Sequence, residues 1–129
     1  MHNMEKMPVR TLGAKGPSVG AMGYGAMVLE GFYGAVDESR CADPIKKALD
    51  CGMTLIDTAD AYGNGHNERV VGQVLKERRN EAFVATKFGI VFDPNEVSTK
   101  LKTGWGFSLD VNGTSRYVKK AVDESLARL

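Results

Sequence analysis

The chain has 129 residues, the size of one domain, with 17 basic against 16 acidic side chains and 43% hydrophobic residues. So even a charge balance gives no field to draw nucleic acid or an anionic membrane, and no apolar run approaches the roughly 20 residues of a membrane span. The start, MHNMEKMPVR, lacks the apolar region of a secretory signal, so a soluble, cytoplasmic protein is expected.

In chain order, Val9 to Leu12 and Ser18 to Gly23 are short β-prone pieces around the turn sequence GAKGP, which predicts a small hairpin leading into a first strand. VDESRCADPIKKALDCG sets Ile45, Ala48 and Leu49 on one helical stripe ended by Gly52. Pro44 would break the interior of that helix. Either the helix starts there with Asp43 as N-cap, or a preceding turn joins at a kink.

Cys41 and Cys51 lie ten apart with no CxxC and no histidine at ligand spacing, so both are expected as reduced thiols, with no metal site. MTLID reads as a short strand buried on both faces, and NERVVGQVLKERR as a helix with Val70, Val71, Val74 and Leu75 inward and charges opposite. EAFVATK, residues 81 to 87, reads as the next strand. Residues 88–113 form a long mixed connection, expected as a loop. TSRYVKKAVDESLARL places Val118, Ala121, Val122, Ser125, Leu126 and Leu129 on a last helical stripe.

A hairpin followed by three βα units argues for a parallel sheet with helices outside it. Three units close nothing, and a (β/α)8 barrel typically takes about 250 residues. The chain is expected to be the first part of something larger.

Side chains alternate along a strand, so Leu55 shares a face with Asp57, and Phe83 and Ala85 share one with Lys87. Asp57 and Lys87 thus end adjacent strands at the carboxyl-terminal edge, where α/β folds build their sites. Tyr62, on the loop leaving the Asp57 strand, can fold back over the pair, where an ammonium would stabilise its phenolate. The same residues also fit a structural ion pair with Tyr62 as a rim contact.

GMTLIDTADAYGNGHNERVVG followed by FVATKFG resembles the aldo-keto reductase family, and LGAKGPSVGAMGYGAM and AVDESLARL resemble that family's amino-terminal hairpin and third barrel helix. The resemblance covers nearly all of residues 8–129 and points to the subgroup with pyridoxal reductases and the plant auxin-induced-type enzymes. It implies the hairpin plus the first three βα units of a (β/α)8 TIM barrel, incomplete in this chain, within one domain over 1–129.

It further implies NADPH as cofactor and a small carbonyl compound as substrate, with Tyr62 as proton donor, Lys87 as the lysine that tunes it, and Asp57 as the partner of that lysine. Gly25, Ala26 and Met27, in GYGAM, match the segment approaching the nicotinamide, with Asp57 and Tyr62 beside ribose and ring. The family's histidine at the end of the fourth strand lies beyond this chain. His2 in the tail and His66, read as a solvated loop residue, do not replace it. Phe88, Trp105 and Phe107 either line a pocket or pack the long loop onto the rim. Besides a reductase, a non-catalytic cofactor-binding or regulatory subunit and a fragment that self-assembles through an exposed sheet edge fit the sequence.

Overall fold

Pro17 and Gly13 close the first turn: Leu12 N donates to Pro17 O at 3.0 Å and Gly13 adopts φ +70°. This sets β1 (Val9–Thr11) antiparallel to β2 (Ser18–Gly20) in a computed structural model that describes residues 5–129. His2 lies outside the described residues. Gly20 N donates to Thr54 Oγ1 at 2.8 Å. The hairpin therefore docks at the amino-terminal end of the central strand and leaves the other edge clear.

Three short strands, β3 (Tyr24–Gly25), β4 (Leu55–Asp57) and β5 (Phe83–Ala85), form a parallel sheet in that order, with Gly25 opposite Asp57 and Asp57 opposite Ala85. Helices α1 (Ala42–Asp50) and α2 (His66–Arg78) cover one face. Ile45, Ile56 and Val71 are fully buried between these layers, each contributing about 1.5–3 kcal/mol relative to exposure.

The expectation that β4 is buried on both faces is not met. Ile56 is fully buried, whereas Leu55 and Asp57 on the opposite face are half-buried and Phe83 beside them is 42% exposed. That face of the sheet is left partly open to solvent.

The chain enters α1 through a 3-10 turn over Glu38–Arg40, capped by Asp37 accepting from Ser39 N at 3.0 Å. Pro44 is the third residue of α1, where a backbone N–H has no intrahelical partner in any case, so the proline costs no hydrogen bond. A preceding turn is thus present, joining α1 at Cys41 ahead of Pro44, and Asp43 pairs with Arg40 at 3.2 Å instead of capping. At the other end Gly52 (φ +86°) donates to Leu49 O and Met53 donates to Ala48 O, the two bonds of a Schellman stop.

Residues 88–113, expected as a loop, hold a hairpin of their own: β6 (Thr99–Lys102) runs antiparallel to β7 (Ser108–Val111). Lys100 faces Asp110 across it at 2.6 Å, and Thr103 N to Phe107 O with Gly106 at φ +82° closes the turn. Both strands lie largely open to solvent, so no buried apolar run announced them. Helix α3 (Ser115–Arg128) is capped by Thr114, which accepts from Tyr117 N. Its predicted stripe is only partly covered: Ala121 and Ser125 are buried, while Val122 is 43% and Leu126 70% exposed. Among the described residues no helix is long and apolar enough to cross a membrane.

Candidate functional site

Backbone pairing between β4 and β5 continues past the strands, with Thr58 N donating to Ala85 O at 2.8 Å and Asp60 N to Lys87 O at 3.2 Å. This draws Lys87 alongside the end of β4. Its Nζ donates to Asp57 Oδ2 at 2.8 Å and to Thr58 O at 2.7 Å. Both side chains of the pair are about half exposed, 50% for Lys87 and 46% for Asp57. The pair's own contribution to stability is therefore small, roughly 0–1 kcal/mol.

Tyr62 reaches the pair because its loop turns sharply. Gly63, Asn64 and Gly65 take φ of +61°, +48° and +86° in succession, a run that only Gly and Asn adopt readily. A Cβ at Gly63 would also lie 2.3 Å from Glu30 Oε2. The turn swings the phenol ring beneath Lys87, with Nζ 4.9 Å from the ring centroid. Partial burial disfavours the Lys87 ammonium, but the bond to Asp57 and the nearby Tyr62 hydroxyl outweigh it and raise its pKa above the ordinary lysine value. Lys87 stands as a fixed positive charge between a carboxylate and a phenol.

Gly25 is paired with Asp57 and so shares its face of the sheet. A Cβ built at Gly25 would meet no atom within 4 Å, which leaves room for a flat ring to approach the backbone beside Asp57. Met27 is half-buried, whereas Ala26 is fully buried with its carbonyl taken by Asn67 Nδ2 at 2.9 Å. Of the three, Gly25 and Met27 offer surface.

His66 is not a loop residue. It is the first residue of α2, and its ring lies between two carboxylates, Nδ1 at 2.9 Å from Glu30 and Nε2 at 2.5 Å from Glu38. Phe88 lies beside Lys87 in a small hollow with Val122 and Leu126, but Trp105 is 82% exposed and stacks only on Phe107, 6.2 Å away at the hairpin tip. The tip aromatics neither line that hollow nor pack down. Cys41 and Cys51 are free thiols; burial, then Glu38, Glu30 and Asp37, push the Cys41 thiol up.

Sequence reading missed the two residues after His66. Asn67 and Glu68 are fully buried. Glu68, expected on the charged face, accepts from Thr86 Oγ1 at 2.6 Å and pairs with Arg128 Nε at 2.6 Å. Thr58 Oγ1 donates to Asn67 Oδ1 at 2.7 Å. The signal was present: positions 68, 71 and 75 share one helical face, as do 67, 70, 71 and 74, so both polar residues sit on the apolar stripe.

Residues 21–129 match the Aldo/keto reductase family. The chain is 38% identical over 125 residues to aldo-keto reductase yakc of Schizosaccharomyces pombe, named for NADP(+), a match over 95% of this chain and 33% of that protein. It is 33% identical over 129 residues to L-galactose dehydrogenase of Arabidopsis thaliana, over 98% and 35%. The holo form of aldo-keto reductase AKR11C1 from Bacillus halodurans superposes with a TM-score of 0.75 at 33% identity, over 95% of this chain and 36% of that one. The glycerol dehydrogenase AKR11B4 from Gluconobacter oxydans gives 0.64 at 32%, over 94% and 35%. The chain spans about a third of the length of these relatives, and its fold is a partial TIM barrel. With its amino-terminal hairpin, three parallel βα units and a match running from Ala21 to Leu129, the chain belongs to the aldo/keto reductase family.

Proposed function

We propose that the protein built on this segment is a cytoplasmic reductase that uses NADPH to convert a small aldehyde or ketone to an alcohol, with Asp57, Tyr62 and Lys87 as its catalytic residues and Gly25, Ala26 and Met27 on the cofactor side. Bound NADPH supplies the hydride to the carbonyl carbon. The Tyr62 hydroxyl donates its proton to the carbonyl oxygen, and the Lys87 ammonium offsets the negative charge left on the phenolic oxygen. Asp57 holds that ammonium in place. The carrying observation is the meeting of Asp57, Lys87 and Tyr62 at one edge of the sheet; the NADP(+) in the name of the S. pombe relative supports the choice of cofactor.

The test grafts residues 8–129 onto the remaining two-thirds of the S. pombe relative and follows NADPH consumption with 4-nitrobenzaldehyde. Turnover is expected, and Tyr62→Phe should lower kcat about a hundredfold or more while leaving NADPH affinity nearly unchanged. A Tyr62→Phe chimera as fast as its parent would return the trio to a structural ion pair with a rim tyrosine.

A second reading is favoured by the uncovered face of α3, where Val122 and Leu126 are exposed. The isolated 129-residue chain would then self-associate and show little or no turnover of its own. Light scattering that finds a monomer with a sharp melt would count against it.

A further inference from the structure

If Asp57, Tyr62 and Lys87 carry the reaction, the first turn of α2 has a task in it. Asn67 is fully buried and every polar atom of its amide is engaged: Oδ1 accepts from Thr58 Oγ1 at 2.7 Å, and Nδ2 donates to Ala26 O and to Glu30 Oε1, both at 2.9 Å. Thr58 is also fully buried and follows Asp57 directly. Its carbonyl takes one of the two bonds from Lys87 Nζ, at 2.7 Å. Ala26, on the other side, lies inside the segment facing the open space beside Gly25. A continuous path therefore runs from Ala26 O through the Asn67 amide and Thr58 to the Lys87 ammonium.

We propose that Asn67 is a positioning residue: by holding Thr58 on its amide oxygen and Ala26 on its amide nitrogen, it fixes the distance between the cofactor-facing segment 25–27 and the Asp57–Lys87 pair. The proposal rests on the reductase reading for its purpose and on these bonds for its geometry.

A carboxamide suits the task because it presents an acceptor and two donors in one rigid plane. An aspartate would keep the Thr58 bond but set a carboxylate against both Ala26 O and Glu30. An alanine would leave the Thr58 hydroxyl, Ala26 O and the space between them unfilled. A polar residue that merely satisfied buried groups would have no reason to touch both functional segments. Here the segment expected to meet the cofactor and the segment ending in the acid are the two it joins.

The test uses the 129-residue chain and needs no turnover. The side-chain carbon next to the Lys87 amine is followed by NMR against pH, together with the Ala26 carbonyl carbon. Asp57 and Tyr62, the titratable groups that act on Lys87, are left untouched. Thr58→Val deletes the hydroxyl at nearly constant shape and cuts the path at its middle. The Lys87 midpoint is expected to move down toward the ordinary lysine value, and the Ala26 resonance to shift with it. Thr58→Ser, which keeps a hydroxyl, should restore both, and Asn67→Ala should act in the same direction as Thr58→Val. Should Asn67→Ala lose its helical content, Thr58→Val decides. A Thr58→Val chain with parental circular dichroism, an unmoved Lys87 midpoint and an unmoved Ala26 resonance would overturn the proposal. An inactive chimera would remove the reductase reading without changing this readout, so the two can fail separately.

Discussion

The Lys87 ammonium lies 2.8 Å from the Asp57 carboxylate, although the strand register sets Asp57 opposite Ala85, two residues before the lysine. Alternation puts residues 85 and 87 on one face, and the length of the lysine side chain bridges the offset. Its raised pKa keeps it protonated through the neutral range; the stability this gives is present below the ordinary lysine value and lost only as pH rises through the folded one.

Lys87→Met in the chimera should therefore lower kcat by about a hundredfold near neutrality and change the alkaline limb of the pH profile, because the phenolic oxygen loses its cation. Kinetics measured across pH check this. A profile identical to the parent's would show that the ammonium plays no part in the transfer.

His66 sets a second pH dependence. Its pKa is raised chiefly by the bond to Glu30, against an opposing effect of burial, with Glu38 adding to it. A raised pKa means that the stabilisation is complete below the ordinary histidine value of about 6.5 and is lost as pH rises through the folded value. The melting temperature should fall as pH rises past about 6.5 and through the folded value, and His66→Gln, which carries no titrating ring, should flatten that slope. Parallel slopes for parent and variant would assign the dependence elsewhere.

Much of this site was legible because its parts are local. The end of β4, the Gly- and Asn-rich turn and the end of β5 each announce themselves within a few residues, and parallel pairing brings the strand ends close enough for the Lys87 side chain to reach Asp57. The Glu68–Arg128 pair was not legible, since its members are 60 positions apart and a glutamate in a first helical turn reads as a solvated charge. The β6–β7 hairpin was missed for a related reason: exposed strands carry no apolar run, and its stabilising pair, Lys100 with Asp110, shows only once the register is known. His66 was misplaced because the Gly and Asn before it looked like continuing loop, whereas they are the turn that delivers α2.

Gly72 offers a test of packing against propensity. In the middle of α2, alanine is favoured over glycine by roughly 1 kcal/mol. A Cβ there, however, would lie 2.0 Å from the backbone oxygen of Arg128, which cannot rotate away. Overpacking of this kind costs about 1–3 kcal/mol, so the clash should win. Gly72→Ala is expected to lower the urea midpoint; a rise would mean that the end of α3 gives way freely.

The buried carboxylate of Glu68 makes the sharpest stability prediction. It is fully buried, with Arg128 Nε and Thr86 Oγ1 each at 2.6 Å, and Arg128 is the last residue of α3. Arg128→Met keeps most of the side chain's bulk and removes the cation, leaving a buried charge with only a hydroxyl to answer it. Such a break typically costs about 3–5 kcal/mol. If uncompensated charge is the cause, removing it should recover stability: Glu68→Gln added to Arg128→Met leaves an oxygen that still accepts from Thr86 but no charge to desolvate. The double variant is therefore expected to be more stable in urea than Arg128→Met alone, a coupling between neighbours that independent sites would not show. Two substitutions that simply add would mean that α3 is held by packing at Tyr117 and Ala121 and that the ion pair only follows.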